Sequence, residues 1–180
     1  MSIHLRLATM KDVPVLEQLI AVSVRALSAA YYTPQQIESA LVHVFGIDTQ
    51  LIADSTYFVA EADGHSVGCG GWSQRQTLFG GDQIQMKAGT DNLLDPTSEP
   101  ARIRAFFVHP DFARRGIGKQ IIAACEQAAA AAGFRSLELA ATLPGEPMYV
   151  AAGYAAMARW EHQLPDGISL PLVRMGKSIS

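Results

Sequence analysis

Hydrophobic and polar positions alternate in "IHLRL" at residues 3–7, the period of a half-buried strand, and the pattern then switches to a helical one. Between residues 10 and 28, Val13, Leu16, Leu19, Ile20 and Leu27 gather on one face. The preceding "TMKD" offers Thr9 as a cap, answered by Asp12 three residues on. "TPQQ" at 33–36 repeats the start signal with Pro34 at the first helical position, so two consecutive helices are predicted. From Tyr57 the text becomes β-rich, and "DG" inside "YFVAEADGHSVGCGGW" predicts a hairpin between 57–62 and 65–75. Residues 76–100 carry Gly, Asp, Thr and Pro without a sustained period and read as a long loop or flap.

The second half alternates more regularly. "ARIRAFFVHP" reads as a strand stopped by Pro110. "GIGKQIIAACEQAAAAAG" reads as a helix with Ile117, Ile121, Ala124 or Cys125, and Ala128 inward, and Gly133 as its stop. "RSLELAATL" is a further strand, "GEPMYVAAGY" a short helix closing at Gly153, and "ARWEHQL" with "LPLVRMGKSI" a last hairpin around "PDG". The expected fold class is α/β of the α+β kind, in a single domain over 1–180, since this length buries one core and not two.

Charge narrows the function classes. Fourteen basic residues against 17 acidic ones leave a net charge of −3, which offers no broad positive field for a nucleic-acid backbone. No apolar run reaches the roughly 18 residues of a membrane span, and "MSIHLRLATMKD" lacks the layout of a secretory signal, so no membrane partner and a cytoplasmic location are expected. Cys69 and Cys125 each sit in an apolar run and read as reduced core thiols; no His/Cys/Asp spacing suggests a metal.

The strongest chemical signal is "VHPDFARRGIGKQ". A helix beginning at Gly116 leaves its first amides without intrahelical partners, at the positive end of the helix dipole. Gly116 and Gly118 clear side chains from the approach, while Arg114, Arg115 and Lys119 add positive charge, a combination suited to phosphate. An ordinary glycine turn with solvated arginines fits the spacing equally well. The stretch lacks both the G-x-G-x-x-G and the G-x-x-x-x-G-K-[ST] spacing, so a Rossmann or P-loop protein fits poorly.

"IRAFFVHPDFARRGIGKQII" resembles the acyl-CoA motif of the GNAT acetyltransferases, and "MYVAAGY" resembles their later tyrosine-containing helix, in the family order. The resemblance implies the GNAT fold, a central mixed, mostly antiparallel seven-stranded sheet flanked by about four helices, with acetyl-CoA (coenzyme A) as co-substrate. It implies that Phe107 and Val108 contact the pantetheine arm. Arg115, Gly116, Ile117, Gly118 and Lys119 would surround the pyrophosphate, with Arg114 at its edge. Thr142 falls where many relatives have an asparagine on the pantetheine. Tyr149, four residues before Gly153, matches the general acid, although packing tyrosines are common. Where the family often carries Gln or Arg, three residues before Gly116, this chain has Ala113. The implied activity is N-acetyl transfer by direct attack of a primary amine, on a small molecule ahead of a peptide; a homodimer is a possible assembly.

Amine acetylation needs a neutral nucleophile. An alkyl ammonium is only about one part in 2,500 neutral at pH 7, a handicap of about 4.6 kcal/mol that a base or a desolvating pocket must reduce. The position that carries a glutamate in some relatives is Arg102 here. The remaining base candidates are Glu61, Glu99, Glu138 and His162, each of which also reads as a solvated surface residue. Arg102 and Arg104 share one face of their strand, placed either to attract a substrate carboxylate or to be salt-bridged and inert. His109, before Pro110, reads as a loop side chain. The vacant base position keeps a rival in play, a coenzyme-binding or regulatory domain without turnover. Residues 27–52, the 76–100 loop and the last hairpin are expected to shape the acceptor pocket.

Overall fold

A computed structural model describes residues 1–84 and 91–179. The chain opens with β1 (His4–Leu7) and a 3-10 turn at Met10–Asp12, where the Asp12 carboxylate accepts from the Thr9 amide at 2.8 Å. Helix α1 (Val13–Ser28) buries Leu16, Leu19, Ile20 and Val24. Helix α2 (Pro34–His43) begins with a reciprocal capping box: Thr33 Oγ1 accepts from the Gln36 amide at 3.1 Å, and Gln36 Oε1 accepts from the Thr33 amide at 2.9 Å. A further helix, α3 (Thr49–Ala53), is capped by Asp48.

Strands β2 (Tyr57–Ala62) and β3 (His65–Ser73) form the expected hairpin, β3 ending two residues short of the boundary read from sequence. The flap that follows is tied at its base, where Arg75 bridges Leu93 and the Leu94 amide donates to the Gln74 carbonyl at 2.7 Å; residues 82–84 are helical. The rest of the flap expected at 76–100 lies partly outside the described residues. Then come β4 (Ala101–Val108), α4 (Ile117–Ala131), β5 (Ser136–Thr142), α5 (Glu146–Ala151), β6 (Ala155–Gln163) and β7 (Ser169–Ser178).

The seven strands make one sheet in the order β1-β2-β3-β4-β5-β7-β6, and every neighbouring pair is antiparallel except β4–β5. The helix complement exceeds the four or so expected: α3 is too short to show a period in the sequence. Two cores flank the sheet. One gathers α4 and α5 residues such as Ile121, Cys125 and Tyr149; the other gathers α1, α2 and α3 residues such as Leu16, Ile37 and Leu51. No helix among the described residues is long and apolar enough to cross a membrane.

The parallel pair is the weak seam. β4 and β5 match only at Ala101↔Leu137 and Arg102↔Glu138, after which they diverge. A bulge explains the divergence: Phe107 opposes Cys69 and Arg104 opposes Gly71, so Ala105 and Phe106 together face Gly70. Ala105 adopts φ +56°, unusual for a residue with a side chain, and Tyr57 Oη donates to its carbonyl at 2.7 Å. Gly70 is required here, because a Cβ would lie 2.6 Å from the Phe106 ring.

Candidate active site

The divergence of β4 from β5 opens a cleft through the sheet. Its walls come from both cores: Phe106, Met148 and Tyr149 belong to the α4/α5 side, and Val44, Phe45, Phe79, Phe107 and Leu172 to the α1/α2 side. From Ile103 onward, the β4 backbone groups pointing away from β3 have no strand partner, so an extended ligand laid in the cleft finds hydrogen-bonding groups ready.

At the end of β4 the chain turns through a 3-10 turn at Pro110–Phe112, and His109 Nδ1 accepts from the Asp111 amide at 3.1 Å, which makes His109 a loop-capping side chain. Arg114 (φ +63°) and Gly116 (φ +82°) both take left-handed conformations, curling the intervening amides into a concave nest at the start of α4. Among the described residues no group accepts from the amides of Arg115, Gly116, Ile117, Gly118 or Lys119. The space where a Gly116 Cβ would stand holds no atom within 4 Å. Arg114, Arg115 and Lys119 are exposed and enter no ion pair among the described residues; the Arg115 guanidinium lies 5.3 Å from the Phe112 ring centre. Orphan amides, a helix dipole and uncommitted cations fit a diphosphate.

Gly118 joins this nest to the cleft. A Cβ there would fall 2.1 Å from Met148 Sδ, so α4 meets α5 one residue from Tyr149. Tyr149 is buried between Phe106 and Tyr154, at ring separations of 6.1 and 5.9 Å. Tyr149 lines the cleft, and its hydroxyl has no hydrogen-bond partner among the described residues and is not among the enclosed unpartnered atoms. Burial pushes its ionisation well above the ordinary phenol value, so the group holds its proton at neutral pH. Thr142 also lines the cleft, and its Oγ1 accepts from the Gly145 amide at 3.1 Å, which leaves the hydroxyl proton and one lone pair for a ligand.

The base candidates are not brought to the cleft in the same way. Glu61 pairs with Arg6 at the β1–β2 edge of the sheet. Glu99 accepts from the Asp95 amide within the flap, and Glu138 pairs with Arg174 and Arg102. His162 packs edge-on to Phe79 at 4.9 Å, behind the cleft wall, where burial lowers its proton affinity.

The arginine face takes the salt-bridged alternative. Arg104 is buried and bonds Asp48 at 2.8 Å, the Thr77 carbonyl at 3.1 Å and the Gly80 carbonyl. Arg102 donates to the Gln76 and Pro100 carbonyls and lies 3.5 Å from Glu138. The role missed from sequence is this strap, which fixes the flap residues around Phe79 against β4. Asp48, as a cap residue before "TQLIA", was the available clue.

A splayed sheet with an anion nest at the helix following the bulged strand is an arrangement suited to an extended, phosphorylated ligand. The chain belongs to the acetyltransferase (GNAT) family, whose model matches residues 22–154. It is similar in fold to a GCN5-related N-acetyltransferase of Rhodopseudomonas palustris, at 23% identity, TM-score 0.73, and 99% and 97% coverage of the two chains. PaiA N-acetyltransferase of Thermoplasma acidophilum, solved with coenzyme A, gives 15% identity, TM-score 0.66, and 99% and 100% coverage. YncA of Salmonella typhimurium, solved with acetyl-CoA, gives 13%, 0.65, and 100% and 95%. No curated protein sequence matches the chain.

Proposed function

We propose that the protein moves an acetyl group from acetyl-CoA to a primary amine, of a small molecule ahead of a peptide, by direct attack. The observation that carries this reading is the contact between Gly118 and Met148, which sets the amide nest beside the helix bearing an unpartnered, protonated Tyr149. In this reading Arg115–Lys119 hold the diphosphate with Arg114 at the edge. The β4 segment at Phe107 and Val108 aligns the pantetheine, and Thr142 contributes its hydroxyl proton. The amine nitrogen forms a bond to the thioester carbonyl carbon, the C–S bond breaks, and Tyr149 gives its proton to the departing sulfur. The nitrogen loses one proton to solvent, from which Tyr149 is restored. No acyl-enzyme is required, and Cys69, its thiol pushed by burial up to about 12, stays a core residue.

The absence of Glu61, Glu99 and Glu138 from the cleft favours, as the second reading, a coenzyme-binding domain without turnover. An amine-library screen with acetyl-CoA, read by thiol release, separates the two. Tyr149→Phe is expected to lower kcat by about 10²-fold with coenzyme affinity unchanged. Full activity in that variant would remove the assigned acid, and coenzyme binding without thiol release from any amine would favour the second reading.

A further inference from the structure

The acceptor side of the cleft has a distinctive lining: Val44, Phe45, Leu78, Phe79, Phe107 and Leu172. Two edge-to-face aromatic contacts stiffen it, Phe45 on Phe107 at 6.3 Å and Phe79 on Trp160 at 6.0 Å. Among the described residues, Arg104 is the one charged side chain in the lining, and its guanidinium is committed to Asp48 and two flap carbonyls. Arg104 Nε reaches no acceptor, but it is sealed from the cleft as well. Arg102 and Arg174 share Glu138, and Asp82 accepts from the Thr49 amide and hydroxyl. Asp91 accepts from the Thr77 amide, and its unpartnered Oδ2 is enclosed outside the lining. A carboxylate on the acceptor therefore meets no free cation among these groups, and a second ammonium meets no free carboxylate among them. Burying either beside aromatic carbon costs several kcal/mol.

Building on the acetyltransferase reading, we propose that the acceptor is a primary amine carried on an uncharged aryl or alkyl body, and is neither an amino acid nor a polyamine. This lining also addresses the missing base. Moving an ammonium against apolar walls favours its neutral form, so desolvation reduces the handicap that no carboxylate here is placed to reduce. Among the described residues, the titratable groups around the cleft are Arg102 and Arg104 on β4, Asp48 before α3, Asp82 and Asp91 in the flap, Glu138 on β5, Arg174 on β7, Tyr149 on α5 and His162 on β6. Of these, His162 alone belongs to the type that changes charge near neutral pH.

Matched acceptors test the proposal, with kcat/KM read by thiol release from acetyl-CoA. 2-Phenylethylamine is compared with phenylalanine, which adds only the carboxylate, and hexylamine with 1,6-diaminohexane, which adds only the second ammonium. The uncharged-bodied member of each pair is expected to win by about 10²-fold. Phe79→Ala is expected to raise KM for 2-phenylethylamine about tenfold while coenzyme affinity holds. The log of kcat/KM should climb with pH from 7 to 9 at a slope near one, equally in His162→Gln. Equal or better turnover of the charged twins, or of spermidine, would overturn the acceptor class and leave the acetyltransferase reading standing. Thiol release from no amine at all, with coenzyme bound, would overturn both.

Discussion

The two sides of the cleft use arginine in opposite ways. On the proposed coenzyme side Arg114 and Arg115 stand exposed beside amides that donate to no partner among the described residues, and the local backbone is left-handed at two positions. On the proposed acceptor side Arg102 and Arg104 are half-buried and buried, and each is held by a carboxylate and by backbone carbonyls. Exposed cations beside orphan amides retain their capacity for a ligand. Buried ones have spent it on structure, and what remains for the ligand is the apolar surface they help to shape. The lesson is that a basic residue near a cleft says little about substrate charge until its partners are known.

The largest expected effect comes from breaking the structural side. Arg104→Met takes the guanidinium away from buried Asp48 and frees the Thr77 and Gly80 carbonyls, a loss of about 3–5 kcal/mol in stability. Urea denaturation measures it. Pairing Arg104→Met with Asp48→Leu should recover much of that loss, because an apolar pair has no ion to desolvate. Asp48 already sits above its ordinary carboxylate value because burial disfavours its charge, so its ionised form depends on Arg104. A stability unchanged in Arg104→Met would mean the strap holds nothing.

A smaller effect probes the ligand-facing side. Gly116→Val meets no neighbouring atom, so steric crowding within the fold contributes nothing; the cost is the left-handed backbone, about 1–2 kcal/mol, and the side chain then stands where the nest opens. Coenzyme affinity should drop by about 10²-fold, more than the loss in stability alone explains. Calorimetric titration with coenzyme A alongside urea denaturation separates the two. Affinity within twofold of the parent would reject the nest as the diphosphate site.

The two sides also differ in how much of them the sequence exposes. The nest is local: Arg114 to Lys119 are consecutive, and a glycine at a helix start carries its meaning within one turn. The strap joins Asp48 to Arg104 across 56 positions, and Phe79 reaches the cleft from a flap without period, so no window of sequence contains either relation. The bulge at Ala105 is equally hidden, since nothing in "RAFFV" announces a positive φ at an alanine; Gly70, on the neighbouring strand, is what makes room for it. Local capping rules therefore found the helix starts at Thr33 and Gly116, while the acceptor wall needed tertiary contacts.

The smallest effect sharpens the contrast most directly. Among the described residues Arg115 enters no ion pair and meets the Phe112 ring and, at 3.8 Å, Met1 Sδ, so Arg115→Gln should leave the unfolding midpoint within experimental error. Its charge, however, is free to act on a diphosphate at short range through solvent. Losing it should weaken coenzyme binding by about three- to tenfold at low ionic strength. Salt shortens the reach of an exposed charge, to about 3 Å at 1 M, so the difference between parent and variant should shrink toward unity as salt rises. For Arg104 the dependence should be absent, because a pair sealed from solvent is screened little. A stability loss in Arg115→Gln that persists in high salt would place this arginine with the structural ones and erase the distinction between the two sides.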